Sequence, residues 1–171
     1  NEANAMAIST ISEEGTPRSR YVLFKDIVDN KLVFYSDYGS SKGREMENNP
    51  NISGLFFWPE LHRQIRLEGV VSKTSDDVSD NYFASRPRGA QLSAIASSQS
   101  TEIEGRETVE DRIKELEIEF EGKDIPRPDN WGGYAIDISF WEFWQGRRSR
   151  THDRFIYVKN DNSWEITRLS P

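Results

Sequence analysis

Roughly eight short strand-like runs at close spacing, with two or three helical stretches interposed, constrain this chain more than any other feature of its sequence. Residues 5–12 (AMAISTIS) form one run, 13–17 (EEGTP) the turn, and 18–25 the hairpin partner. Asp29 and Asn30 lead into a third strand at 32–37, after which Ser40 is placed to cap a short helix over 42–48 that Pro50 ends. Further strands fall at 52–58 and 62–73, joined across Pro59 and Glu60, and at 134–137, 140–144, 154–159 and 164–168. Between them, 76–85 has helical composition with Ser75 as cap and Pro87 as stop, whereas the small, polar 90–101 suits a packed connection. Val109, Ile113, Leu116 and Phe120 recur at helical spacing over 107–120, and 124–133, with two prolines and two glycines, reads as a loop. The pattern predicts a mainly β chain with helical insertions, an antiparallel barrel in one domain over 1–171. A doubly wound parallel sheet does not fit, because long alternating strand and helix units are missing.

Charge narrows the function. With 29 acidic and 22 basic residues the net charge is −7, which argues against a nucleic-acid or membrane-surface role, since those need a basic field across a whole face. The chain has no cysteine, so disulfide scaffolds, thiolate catalysis and cysteine-held metals are excluded and a reducing cytoplasm fits. No apolar run approaches the ~20 residues of a membrane span. The start at Asn1, without Met and running almost at once into a strand, predicts further residues upstream in the full protein.

Against that acidic background, residues 140–155 (FWEFWQGRRSRTHDRF) are basic and aromatic together. If the part after Gly146 is extended, Arg148, Arg150, His152 and Arg154 share one face. Such a face is either solvated surface or an anion site, and phosphate is the anion that Arg fits best. The adjoining Trp141, Phe143 and Trp144 would offer a flat ring a wall. Tyr82 and Arg86 lie four apart on the 76–85 helix and stack on one face, either as a Tyr packed under an Arg stem or as a hydroxyl and guanidinium converging on an anion. Arg88 adds a second cation there. Arg20 and Lys25 bracket an apolar run and by themselves are ordinary strand-end charges. Gln64, Ser36, Gln99 and Ser100 are equally plain singly. Glycine-rich nucleotide loops and the G-x-S-x-G elbow are absent, and two histidines, His62 and His152, cannot build a His-rich metal site, so no metal is expected.

The segments RYVLFK (20–25), YS (35–36), Lys42, RQIRLEG (63–69), YFASRPRG (82–89), QS (99–100), WGGY (131–134) and FWQG followed by RTHDR (143–154) resemble, in this order, the pyridoxine (pyridoxamine) 5′-phosphate oxidase family. The resemblance covers nearly the whole chain. It implies an FMN-binding split β-barrel working as a homodimer, with the flavin at the subunit interface. The FMN contacts it implies are Arg20, Tyr21, Val22, Leu23, Phe24, Lys25, Tyr35, Ser36, Lys42, Gln64, Gln99, Ser100, Trp144 and Arg154. The implied substrate contacts are Lys25, Tyr82, Arg86, Arg150 and His152, of which the first three grip the substrate phosphate while Arg150 and His152 serve catalysis at C4′. The implied reaction oxidises pyridoxamine or pyridoxine 5′-phosphate to pyridoxal 5′-phosphate, with O2 as acceptor and H2O2 as product.

Three departures stand against the pattern. Ser41 replaces a family arginine, which removes one cation from the FMN phosphate unless Arg44 or another residue substitutes. Ala90 replaces a serine that donates to the substrate phosphate, a hydrogen bond worth about 1.5–3 kcal/mol. The family's N-terminal segment that folds over the substrate is not in this sequence. Two alternatives remain open: a flavin oxidase of another ring, of the phenazine-pathway type, and a non-catalytic flavin- or haem-binding barrel.

Overall fold

The computed structural model describes residues 2–161 and 163–171. Among them the strands are β1 (Ala5–Ile11), β2 (Pro17–Leu23), β3 (Asp26–Val28), β4 (Lys31–Asp37), β5 (Asn51–Trp58), β6 (Arg63–Lys73), β7 (Trp131–Gln145), β8 (Asp153–Asn160) and β9 (Ser163–Leu169). The helices are α1 (Ser41–Asn48), α2 (Asp76–Ser85), α3 (Arg88–Ala96) and α4 (Arg106–Glu119). All nine strands belong to one sheet, in the order β2-β1-β5-β6-β7-β4-β3, with β8 on β7 and β9 on β8.

The chain divides into two compact units, one of residues 1–34, 45–72 and 135–171 and the other of 35–44 and 73–134. In the first, β1 alternates half-buried and buried positions, so Met6, Ile8 and Thr10 point inward with 0% exposure. It pairs antiparallel with β2 from Ala5 opposite Leu23 to Ile11 opposite Pro17, and Gly15 makes the tight turn at φ 79°. Ile52 and Phe56 of β5 and Leu67 and Val71 of β6 are buried in the same unit. In the second unit Phe83, Leu92, Leu116, Ile125 and Trp131 form the core, joining α2, α3 and α4 to the start of β7. Ser75 caps α2, accepting from the Val78 N–H, and the Gly43 N–H donates to Ser40 Oγ at 3.2 Å at the start of α1.

Several expectations are corrected. Residues 90–101 are not simply a connection, because α3 covers Arg88–Ala96: Pro87 at φ −53° leads into the helix and the alanines favour it, with Leu92 buried. The strands expected at 134–137 and 140–144 are one 15-residue strand that begins inside the expected loop. Gly132 and Gly133 are there for space, since a Cβ would come within 2.0 Å of Tyr38 Oη at the first and 2.4 Å of Thr74 Oγ1 at the second. His62 is left-handed at φ 48° and lies in the turn before β6 rather than in the strand. Lys25 falls beyond the end of β2, and β3 is an additional short strand.

Candidate active site

In the second unit, the end of β4 and the start of α1 bring Ser36, Lys42 and Gln99 together. The Lys42 ammonium donates to Ser36 Oγ at 2.9 Å, to Ser40 Oγ at 3.2 Å and to Gln99 Oε1. Ser36 Oγ donates to the same Gln99 oxygen at 3.1 Å, and Asp37 holds the turn after α3 by accepting from the Gln99 N–H at 3.2 Å. The result is one cation ringed by hydroxyl and amide groups, a set suited to phosphoryl oxygens. Ser100 follows, exposed, with its backbone left-handed at φ 71°. Arg44, the candidate replacement for the cation lost at Ser41, donates to the Gly39 carbonyl.

The same unit builds a second cluster at the C-terminal end of α2. Tyr82 stacks face to face on Tyr35, with ring centroids 3.7 Å apart and planes 9° from parallel. Arg86 lies with its guanidinium carbon 4.6 Å from the centroid of Trp131. Its Nη1 is buried and has no hydrogen-bond partner among the described residues. Burial lowers the affinity of this guanidinium for its proton, and the Tyr82 hydroxyl acts in the opposite sense. A half-buried cation with an unmet donor has the chemistry to take an anion. Arg88 does not add to it: its guanidinium donates to the Phe120 carbonyl and, at 3.0 Å, to the Lys123 carbonyl, closing the C-terminal end of α4.

The first unit carries the remaining candidates. Arg20 is not a free strand-end charge. It donates to Thr10 and, at 2.8 Å, to the Glu45 carboxylate, which is 5% exposed and also takes Arg18 at 3.2 Å. Burial alone would push the Glu45 carboxyl up, but donation from Thr10, Arg20 and Arg18 holds it below the usual carboxylate range. Val22, Leu23 and Phe24 are half-buried, whereas Tyr21 and Lys25 are exposed.

Gln64 and Trp144 line one cavity of about 590 Å³, walled also by Trp58, Phe143 and Phe155, with Arg63 and Arg147 at hand. That size and lining suit a flat ligand with polar edges. The His152 ring lies 4.7 Å from that of Trp144, and its Nδ1 accepts the Arg147 N–H at 3.1 Å. The expected basic face does not form, because Arg148–Arg150 is a 3-10 turn with Ser149 at φ 54° and Arg150 at φ 61°. Arg147 pairs with Asp153 at 2.7 Å, while Arg148 and Arg150 are exposed. Arg154 is held by Glu142 at 2.7 Å, and Arg66 takes the other Glu142 oxygen at 3.0 Å. Sequence reasoning missed Glu45, Glu142 and Trp131. Trp131 was visible as the first residue of the family-like WGGY segment and Glu142 as an acid inside the aromatic run FWEFW, whereas Glu45 left no mark.

Sheet order and interposed helices are those of the split β-barrel. Family models agree: residues 1–119 match "Pyridoxamine 5'-phosphate oxidase" and 131–171 match "Pyridoxine 5'-phosphate oxidase C-terminal dimerisation region". The chain belongs to the pyridoxine/pyridoxamine 5′-phosphate oxidase family. It is 51% identical to the pyridoxine/pyridoxamine 5′-phosphate oxidase of Flavobacterium johnsoniae, covering 99% of this chain and 79% of the relative. It is 49% identical to that of Rubrobacter xylanophilus over 99% of this chain and 78% of the relative. Among solved structures, PhzG from Burkholderia lata in complex with tetrahydrophenazine-1-carboxylic acid superposes with a TM-score of 0.94 at 31% identity, covering 100% of this chain and 84% of that one. A pyridoxamine 5′-phosphate oxidase-related, FMN-binding protein from Nostoc punctiforme shares the fold, with a TM-score of 0.79 at 18% identity over 99% and 89% of the two chains. No helix among the described residues is long and apolar enough to cross a membrane.

Proposed function

We propose that the protein is a cytoplasmic, homodimeric, FMN-dependent oxidase that converts pyridoxamine or pyridoxine 5′-phosphate to pyridoxal 5′-phosphate. The observation that carries this reading is the buried Nη1 of Arg86, without a hydrogen-bond partner among the described residues, in a chain of this family. A second phosphoryl site is supported by Lys42 with Ser36 and Gln99, and the cavity beside Gln64 and Trp144 has the size and the apolar walls that a flavin ring requires. The residues therefore fit FMN, with one cation fewer at Ser41. When bound, FMN would accept two electrons from the C4′ position and hand them to O2, giving H2O2.

The chain's own part is binding and orientation. Tyr82, Arg86 and Lys25 hold the substrate phosphate, which fixes the ring at one end. His152 and Arg150 orient the C4′ substituent. Because His152 Nδ1 already accepts the Arg147 N–H, Nε2 is the nitrogen left to meet the substrate. Arg150 has an exposed side chain on a backbone at φ 61°, a region that few non-glycine residues occupy.

Purified protein should be yellow and should release H2O2 with pyridoxamine 5′-phosphate. Colour without turnover would favour a binding module, and turnover confined to other rings would favour the phenazine-type alternative that PhzG represents. Arg150→Leu is expected to lower kcat by about ten-fold or more, as loss of an orienting group does, with FMN retained. Turnover unchanged by that substitution would remove Arg150 from the site.

A further inference from the structure

We propose that Trp131 is a positioning residue for the substrate phosphate: its indole face carries Arg86 and fixes the plane of the guanidinium so that the free N–H edge is aimed before substrate arrives. This rests on the reading of Arg86 as a phosphate ligand. Trp131 is 7% exposed and opens β7, at a point in the chain distant from α2. Its ring lies 5.6 Å from Tyr35 and 6.2 Å from Tyr82, within 11° and 7° of parallel, so three aromatic planes are aligned. Phe83 meets its edge at 5.2 Å and 68°, which leaves the ring little freedom to tilt. Arg86 sits 4.6 Å above this fixed face and 5.8 Å from Phe83.

Physically, the arrangement answers a specific difficulty. Arg86 is drawn out of water, and no carboxylate among the described residues offsets that burial. A carboxylate would hold the side chain in place but would also occupy the donors and repel phosphate. An aromatic face attracts the cation through its quadrupole while leaving the in-plane N–H groups free. Because a guanidinium binds phosphate through two parallel donors, fixing its plane fixes the approach of the ligand. Ala90, which lacks the hydroxyl expected at that position, leaves more of the task to Arg86. Trp131 touches neither flavin nor substrate in this account and acts through Arg86 alone.

The test compares Trp131→Leu and Trp131→Phe in the flavin-loaded, full-length enzyme. Loss of a partly desolvated cation–π contact should raise the KM for pyridoxamine 5′-phosphate about ten-fold, with a much smaller change in kcat. Trp131→Phe, which keeps a face, should recover most of the loss, and unphosphorylated pyridoxamine should be used equally by all three proteins. In an Arg86→Leu background the Trp131→Leu penalty should vanish, since the residue it positions is gone. Equal penalties with and without Arg86, or a Trp131→Phe variant as poor as Trp131→Leu, would overturn the proposal and leave Trp131 as core packing. Should the wild type fail to oxidise either vitamer, the functional reading fails by itself. Inorganic phosphate titrated calorimetrically against wild type, Trp131→Phe and Trp131→Leu then decides the inference: weaker binding only in the leucine variant supports it, and equal binding overturns it.

Discussion

Replacing Arg86 with leucine is expected to raise the KM for pyridoxamine 5′-phosphate by roughly 100-fold, the cost of two hydrogen bonds to a charged partner at about 1.5 kcal/mol each. The side chain has an unmet buried donor, so the site loses binding energy that water does not replace. Arg86→Lys keeps the charge but not the fork, and should fall between wild type and leucine. Leucine is close in size to the arginine stem, so the fold should tolerate the exchange. Steady-state kinetics with phosphorylated and unphosphorylated pyridoxamine make the comparison. An equal loss on both substrates would mean that Arg86 does not read the phosphate.

Arg20→Met should lower stability by about 2–3 kcal/mol, because it leaves the Glu45 carboxylate buried with only Thr10 and the more exposed Arg18 as partners. For a chain of this size that corresponds to roughly 5–10 °C in the thermal midpoint. The pH dependence has a definite sign. The folded-state pKa of Glu45 is depressed, so its contribution is present above the unfolded carboxylate value of about 4.3 and is lost as pH falls through the folded value. Wild type should therefore lose stability on the acid side of about pH 4, and Glu45→Gln should flatten that limb. Combining Arg20→Met with Glu45→Gln should cost less than the sum of the two, since no charge is left stranded. Thermal melts across pH 3–7 measure all of these quantities. Additive losses would show that Arg20 and Glu45 are not coupled.

Local signals in the sequence account for what was legible. The 5–25 hairpin, the Ser40 and Ser75 caps and the Tyr82 and Arg86 spacing are each written within a few residues, and each appears in the structure. The gathering of Ser36, Lys42 and Gln99 was reachable only through the family resemblance, because 57 residues separate Lys42 from Gln99. Counter-ions escaped for the same reason. Nothing near Arg20 or Arg154 marks Glu45, 25 residues from Arg20, or Glu142, across the β7–β8 pair, as the partner. The alternation rule misled at 147–154, where two successive left-handed residues break the extended path that period-2 reasoning assumed. In 90–101 small side chains concealed a helix, since Ala, Ser and Gln carry little periodicity even where the backbone is helical.

The interleaving of the two units has a consequence for biosynthesis. The first unit takes its segments from 1–34, 45–72 and 135–171, with the second inserted between them. Residues 5–23 can zip into a hairpin as soon as they leave the ribosome, but the strands that complete that unit are translated last. Until then β6 presents an unpaired edge to its surroundings, and the pairing that covers it waits on closure of a long loop.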